Sequence, residues 1–457
     1  MLTRIEIDGF KSFEDFAIDL SPFTIILGAN ASGKSNLFDA IQFLSHLAAL
    51  DLRSAAREVR GDVADLFRRM SPDRREERMR FAVELLLAPR VSDPWGREVA
   101  LTHTRMRYEL EIARRKDARG IERLIVSREA ALPITGLARD RWRPFGQSYS
   151  KAFRKVYAKY TRKSPLISTE DIDGGPGFKI HQDGSQGRTR PGHAAEATVL
   201  YSMTTSDFPH LYAMREELRS WRLLQLDPIG LRRPSPMDAD ETLLPDGSNL
   251  AAVLHRIKTE TSGPETFNGA LADISAELAS VIPGVLSVDV ELNSAAREYR
   301  AQLGLRDGYG FPTAVISDGT LRVLALMTLL YDPRHGGVVC FEEPENGIHP
   351  ARLGALMHKL RELVTDPTAD EIDPEQPFSQ LLMNSHSPVV LAALRRDRHI
   401  GGIFFADSVA VADPAGSCVR RKTRIRPVTS QGQLFEDSEC VTDFEVQQYL
   451  ESVDRET

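Results

Sequence analysis

Cysteine is scarce. Three thiols in 457 residues, Cys340, Cys418 and Cys440, fall at no disulfide or metal-ligand spacing. A disulfide scaffold is excluded, and buried, inert thiols in a reducing cytosol are expected. Long apolar runs are missing as well. None approaches the ~20 residues that a membrane-spanning helix needs. The opening MLTRIEIDGF has no signal-peptide apolar core, so a cytoplasmic protein without membrane contact is expected. No stretch sustains the a and d heptad positions of a long coiled-coil arm. An overall excess of positive charge is lacking too: the net charge is −7, which speaks against a chain that binds nucleic acid with its whole surface.

What is present is ordinary globular composition, 42% hydrophobic and 27% charged, at a length that suits two or three structural units. The charge is unevenly spread. Residues 105–163 hold seventeen Lys or Arg against six Asp or Glu. There Trp142, Phe145, Tyr149 and Tyr157 lie among the basic residues. Such a segment suits phosphate contact with base stacking, an acidic protein surface, or a small core of its own. The negative net charge favours protein. Alternating strand and helix patterns imply an α/β sheet, with the order broken between about 90 and 220. The stretch GGPGFKIHQDGSQGRTRPGH (174–193) reads as a mobile loop, and SYSKAFRKVYAKYTRK (148–163) as a basic helix. The expected units are an N-terminal lobe 1–90, a basic insertion 91–220, a C-terminal lobe 221–426 and an acidic tail 427–457.

Four motifs carry chemistry. The first, Gly28-Ala-Asn-Ala-Ser-Gly33-Lys34-Ser35, fits the phosphate loop G-x-x-x-x-G-K-[ST]. An apolar strand, FTIILG, precedes it, and a helix with Leu37, Ile41, Leu44 and Leu47 on one face follows. Backbone N–H groups there converge on phosphate oxygens. Lys34 suits the β- and γ-phosphates, and Ser35 suits Mg²⁺. The second is GGVVCFEEPENGIHP, in which an apolar strand delivers Glu342 and Glu343. Strand alternation sends them to opposite sides, Glu342 toward a metal and Glu343 toward the attacking water as general base. An acidic strand cap is the plainer reading of that stretch taken alone.

The third motif is Ser317-Asp318-Gly319-Thr320 at the head of an apolar helix. It is either a capped helix, with Ser317 or Asp318 as cap, or a second phosphate site supplied to another copy. Its place one helix before the acidic strand favours the second reading. The fourth, LLMNSHSP, ends a strand at His386, where α/β sheets bind ligands. There it could hydrogen-bond the γ-phosphate.

The order of phosphate loop, serine-glycine turn, acidic strand and histidine resembles ABC-type ATPases of the RecF/SMC/OLD branch. More narrowly it resembles bacterial AAA family ATPases that carry EEPENGIHP and SHSP, often within anti-phage systems. IEIDGFKSFEDFAIDL and LPDGSNLAAVLHRIK resemble further segments of that branch, and the likeness covers roughly 1–90 and 225–412. It implies an α/β P-loop NTPase fold, an ABC-type ATPase head with a basic inserted subdomain and no long coiled coil. The implied cofactors are ATP and Mg²⁺. Nucleotide contacts fall to Gly28, Asn30, Ser32, Gly33, Lys34, Ser35 and Asn36, with Lys11 or Ser12 beside them. Ser317, Gly319 and Thr320 would meet a γ-phosphate held by a second copy. Ser35 and Glu342 would serve the metal, and Glu343 and His386 the reaction.

The resemblance further implies a homodimer or higher oligomer around ATP and a sensor or scaffold controlling a separate effector, a nuclease or toxin, in defence. A RecF-like DNA-repair ATPase binding nucleic acid through 105–163 is the alternative. The SDGT turn departs from the transporter pattern LSGGQ. After His386 about 70 residues remain, too few for a Toprim nuclease domain.

Overall fold

The computed structural model describes residues 1–428 apart from 72–73, 117–119, 121, 183–184, 265, 307, 374–376, 395–401 and 413–418, together with 441, 445 and 448. Arg395, Arg396, Arg398, Cys418, Cys440 and nearly all of the expected acidic tail lie outside the described residues.

The chain opens with β1 (Leu2–Asp8) and β2 (Phe16–Asp19), then β3 (Phe23–Leu27) and α1 (Lys34–Leu47). Helix α2 (Leu52–Arg57) and the short β4 (Arg69–Ser71) and β5 (Arg74–Arg75) follow, then β6 (Arg78–Leu86), β7 (Arg90–Ser92) and β8 (Glu98–Ala100). A long hairpin, β9 (Arg105–Lys116) and β10 (Glu122–Pro133), precedes α3 (Lys151–Tyr157). Next come β11 (Ile167–Ile172), β12 (Gly175–Gln182), β13 (Ser185–Pro191), α4 (Pro209–Arg219), β14 (Arg222–Leu224), α5 (Pro228–Arg232) and β15 (Ser235–Pro236). The remainder runs α6 (Leu250–Thr261), α7 (Ala270–Val281), β16 (Val285–Asn293), β17 (Glu298–Leu305), β18 (Gly310–Pro312), α8 (Asp318–Leu330), β19 (Gly337–Glu342), α9 (Pro350–Glu362), β20 (Ser379–Ser385), α10 (Pro388–Leu394), β21 (Ile403–Ala412) and β22 (Val419–Pro427).

Two large sheets sandwich α1. One is antiparallel, in the order β13-β12-β11-β10-β9-β6-β1-β2; the other runs β14-β19-β20-β3-β21-β22. In the second sheet β3 pairs in parallel with β20 and β21, and all five of its residues are buried. A strand covered on both faces must be apolar throughout, and FTIIL is. Period-two alternation then divides its neighbours. Ile26, Val338, Cys340 and Leu382 face α1 and the antiparallel sheet, while Ile25, Leu27, Val339, Phe341, Leu381 and Met383 face α6–α10. The expected helix face, Leu37, Ile41, Leu44 and Leu47, is buried in the first of these cores. Among the described residues the longest helix is α1, with 14 residues, and no helix is long and apolar enough to cross a membrane.

The middle of the chain differs from expectation. β9 pairs with β6 and β10 with β9, extending the sheet of β1 and β2, so the boundary placed at 90 cuts through one continuous sheet. The glycine-rich stretch taken as a loop forms β12 and β13. Glycine there reflects crowding: a Cβ on Gly177 would meet the Ile172 side chain at 2.0 Å. The basic helix is only Lys151–Tyr157, capped by Ser150. Trp142, Tyr149 and Tyr157 are buried with Phe153, Phe378 and Met1 in a third, smaller core, so these three rings are not presented for base stacking; Phe145 is half-buried, with Arg361 over its ring.

Several basic residues of the β9–β10 hairpin are paired within the fold. Arg107 reaches Glu6 at 2.7 Å, and Arg128 reaches Glu109 at 3.0 Å. Arg105, 1% exposed, bonds Asp140 through Nε at 2.7 Å and Nη2 at 2.9 Å. Burial opposes the Asp140 charge, yet Arg105 holds its carboxyl below the usual range. Removing one partner of such a buried pair strands the other charge. Asp140→Ala is therefore expected to cost about 3–5 kcal/mol, read by denaturant unfolding; a loss under about 1 kcal/mol would contradict the pair's structural role.

Candidate functional site

β3, β19 and β20 end at one edge, with Glu342 opposite Asn384 and Ser385 opposite Leu27. Their ends enclose a cavity of about 240 Å³, lined by residues 30–36, Glu342, Glu343 and Asn384. The phosphate loop and both acids expected from the sequence therefore share one hollow. A larger hollow of about 640 Å³ lies on the antiparallel sheet, but its charged walls are paired with each other, as with Arg80 and Glu111.

Lys34 is buried, and its Nζ donates to the Gly28 and Ala29 carbonyls at 2.6 and 2.8 Å. Burial lowers its pKa, opposed by Glu343, Glu345 and Glu342. The ammonium is thus held inside the curl of the loop beside three carboxylates. Ser32 Oγ is buried and has no hydrogen-bond partner. A buried hydroxyl without a partner is costly, and a phosphate oxygen in the loop would supply one.

Gly33 opens α1 at φ 94°, a left-handed conformation that suits glycine. A Cβ there would meet Thr423 Oγ1 at 1.8 Å. The cause is a clamp absent from the sequence reading. Thr423, on β22, donates to the Ser32 carbonyl at 3.1 Å and bonds Ser12 Oγ at 2.6 Å; Asn36 Nδ2 donates to the same Ser12 Oγ at 2.7 Å. Lys11 is engaged one step behind the loop. Its Nζ meets Asp39 at 2.6 Å, a 1% exposed carboxylate that Arg60 also holds at 3.0 Å.

Glu342 ends β19 and accepts from Asn384 Nδ2 at 3.0 Å. Glu343 leaves the strand at φ 53°, rare for a residue with a Cβ. That turn breaks the expected alternation, so both carboxylates reach the same cavity instead of opposite sides. Asn346 Nδ2 donates to Glu343 Oε2 at 2.6 Å, and His386 Nδ1 lies 3.2 Å from Glu343 Oε1 and 3.8 Å from Glu345 Oε1. His386 does not line the cavity; it stands behind Glu343. Asn384 joins the cavity without a motif of its own; the alternation that buries Leu382 places it on the same side of β20.

Ser35 and Glu342 offer hard oxygen donors to one cavity, which fits magnesium. Among the described residues no three His, Cys, Asp or Glu side chains form a metal cage. An ion that keeps water and phosphate oxygens needs only one or two protein ligands.

The SDGT turn lies elsewhere. Ser317, not Asp318, caps α8: its Oγ accepts from Thr320 N at 3.4 Å and meets Thr320 Oγ1 at 2.8 Å. Ser317 and Asp318 are exposed, and none of residues 317–320 lines the cavity of the same chain. Gly319 packs backbone to backbone on the loop after the acidic strand, where a Cβ would fall 2.0 Å from the Gly347 carbonyl oxygen. Arg322, on the same helix, donates to the Glu342 carbonyl at 3.1 Å.

Two family models match the chain. Residues 1–62 match "RecF/RecN/SMC N terminal domain", and residues 197–392 match "AAA domain, putative AbiEii toxin, Type IV TA system". The matched segments are thus of the RecF/RecN/SMC kind around the phosphate loop and of the AAA kind across the SDGT turn and the acidic strand. A 55-residue stretch is 47% identical to "Chromosome partition protein Smc" of Methanocaldococcus jannaschii, and one of that length is 44% identical to "Structural maintenance of chromosomes protein 1" of Schizosaccharomyces pombe. Each stretch is 12% of this chain, and it spans only 5% and 4% of those proteins. Similar solved structures include an Smc head bound to the C-winged helix domain of ScpA, with TM-score 0.49 and 14% identity over 93% of this chain and 98% of that one. Another is the Smc head domain with a coiled coil and joint from Pyrococcus yayanosii, with TM-score 0.46 and 12% identity over 99% of both chains.

The clamp on Gly33 is testable with little change of shape. Thr423→Val should weaken ATP binding about five- to tenfold, as losing hydrogen bonds worth roughly 1 kcal/mol each implies, while unfolding stability falls little. Titration with a fluorescent ATP analogue reads this; unchanged affinity would remove Thr423 from the site.

Proposed function

We propose that the chain binds Mg-ATP in the cavity between the phosphate loop and the acidic strand, and that two copies close around two nucleotides. Each ATP would sit between one copy's phosphate loop and the other's SDGT turn. The observation that carries this reading is the separation of the two halves. Residues 30–36, Glu342 and Glu343 share one cavity, while Ser317 and Asp318 face outward from it. Exposed apolar side chains flank that turn: Val315 is 66% exposed and Ile229, on the adjoining α5, is 62% exposed. A polar turn rimmed by exposed apolar residues suits a protein contact.

In hydrolysis a water attacks the γ-phosphorus, the bond to the β–γ bridging oxygen breaks, and ADP and phosphate leave. Glu343 accepts the water's proton, oriented by Asn346 and His386. Lys34 turns from the loop carbonyls to the phosphate oxygens. Magnesium at Ser35 and Glu342 would neutralise phosphate charge. ATP then joins the copies and hydrolysis parts them.

The output we favour is a sensor or scaffold that controls a separate effector in anti-phage defence. The description of the model matching 197–392, with its AbiEii toxin and type IV toxin–antitoxin system, supports that setting. A second reading, a RecF-like DNA-dependent ATPase, has support from the match over 1–62. The burial of Trp142, Tyr149 and Tyr157 weighs against a single-strand platform there.

Glu343→Gln should lower ATP turnover by about 100-fold or more, the usual contribution of a general base, and keep ATP-dependent dimers in size-exclusion chromatography with light scattering. An unchanged rate would remove Glu343 from the mechanism. The wild-type rate should ignore added DNA; a steep, salt-sensitive stimulation would favour the second reading.

A further inference from the structure

The turn assigned to a second copy's phosphate carries an acid. Asp318 occupies the first turn of α8, between Ser317 and Gly319. A carboxylate suits a helix N-terminus while the site is empty, because the helix dipole favours negative charge there. It opposes the arrival of a triphosphate, which brings several negative charges to the same few ångströms.

Arg232 answers that charge. It closes α5, and its Nη2 donates to the Ile316 carbonyl at 2.9 Å and forms a short ion pair with Asp318 Oδ1. Nη1 donates to the Pro228 carbonyl at 3.0 Å, and the Arg232 carbonyl accepts from Thr313 Oγ1 at 3.2 Å. The guanidinium is therefore held between the start of its own helix and the loop leading into α8, and Thr313 ties the Arg232 backbone to the same loop. Its side chain is 30% exposed and that of Asp318 55%, so the pair stands at the surface where a second copy would approach.

We infer that Arg232 is a positioning residue of the composite site: by neutralising Asp318 and fixing the Ile316–Asp318 backbone, it lets an acidic turn receive the triphosphate held by a second copy. The inference rests on the paired-copy reading above. Arg232 does not line the phosphate-loop cavity of its own chain. Its effect is thus confined to association of the copies, and it depends on the charge of Asp318.

The test uses the full chain in the Glu343→Gln background, with Mg-ATP, and measures the dimer dissociation constant by analytical ultracentrifugation. Arg232→Ala should weaken ATP-driven association about tenfold or more, as loss of one partner of a close charge pair does. Binding of fluorescent ATP to the phosphate loop should be unchanged, which also reports folding. Adding Asp318→Asn should restore association to within about threefold, because the charge needing an answer is gone. If Arg232→Ala does not fold, Arg232→Gln, which keeps part of the aliphatic stem and lacks the charge, should behave alike. Unchanged association in the arginine variant, or no rescue by Asp318→Asn, overturns the inference. If Glu343→Gln alone stays monomeric with Mg-ATP, the paired-copy reading falls and takes this inference with it.

Discussion

Three parallel strands ending in register at one edge of a buried sheet are the constraint on which the rest depends. β3 supplies the phosphate loop, β19 the two acids, and β20 Asn384 and His386. Pairing is what brings chain segments more than 300 residues apart to one cavity. A slip of one residue in β19 would send Glu342 to the other face and Phe341 into the hollow. The register is strongly specified because both faces of the sheet are buried. Cys340 and Phe341 fill different cores, one against α1 and one against α9 and its neighbours.

Around that edge the fold adds supports that are distant in the chain and close in space. Thr423 and Ser12 grip the phosphate loop from two strand systems at once. Lys11 and Arg60 hold Asp39 beneath it. Glu343 sits at a left-handed φ and is restrained by Asn346, Asn384 and His386. A residue held in a sparsely populated conformation needs such surroundings to stay there. The strain and its restraints lie at the rim of the phosphate-loop cavity.

What could be read from sequence was local, and what could not was long-range. The phosphate loop, the helix after it and the acidic strand each carry a complete short pattern, and the structure puts them where the pattern implies. The clamp residue Thr423 is 411 positions from Ser12, and nothing in either neighbourhood announces the pairing. The basic segment misled because charge and aromatic content do not reveal which side chains are covered; Tyr157 packs against Phe378, a contact between remote segments. The glycine-rich stretch misled for a related reason. Its glycines fit crowded places within paired strands as well as a loop. The pair of acids was found, but its shared orientation was not, because the backbone at Glu343 leaves the strand.

The central claim is that each active centre is completed by a second copy. It is tested most directly by mixing two inactive chains. One carries Lys34→Ala, with its phosphate loop broken and its SDGT turn intact. The other carries Ser317→Arg at an exposed position, with its SDGT turn broken and its phosphate loop intact. Each alone should hydrolyse no ATP above background. Mixed, they can form one composite centre from the two intact halves, and hydrolysis should return. A mixture that stays as inactive as its parts, under conditions where the wild-type chain turns over, would contradict the account.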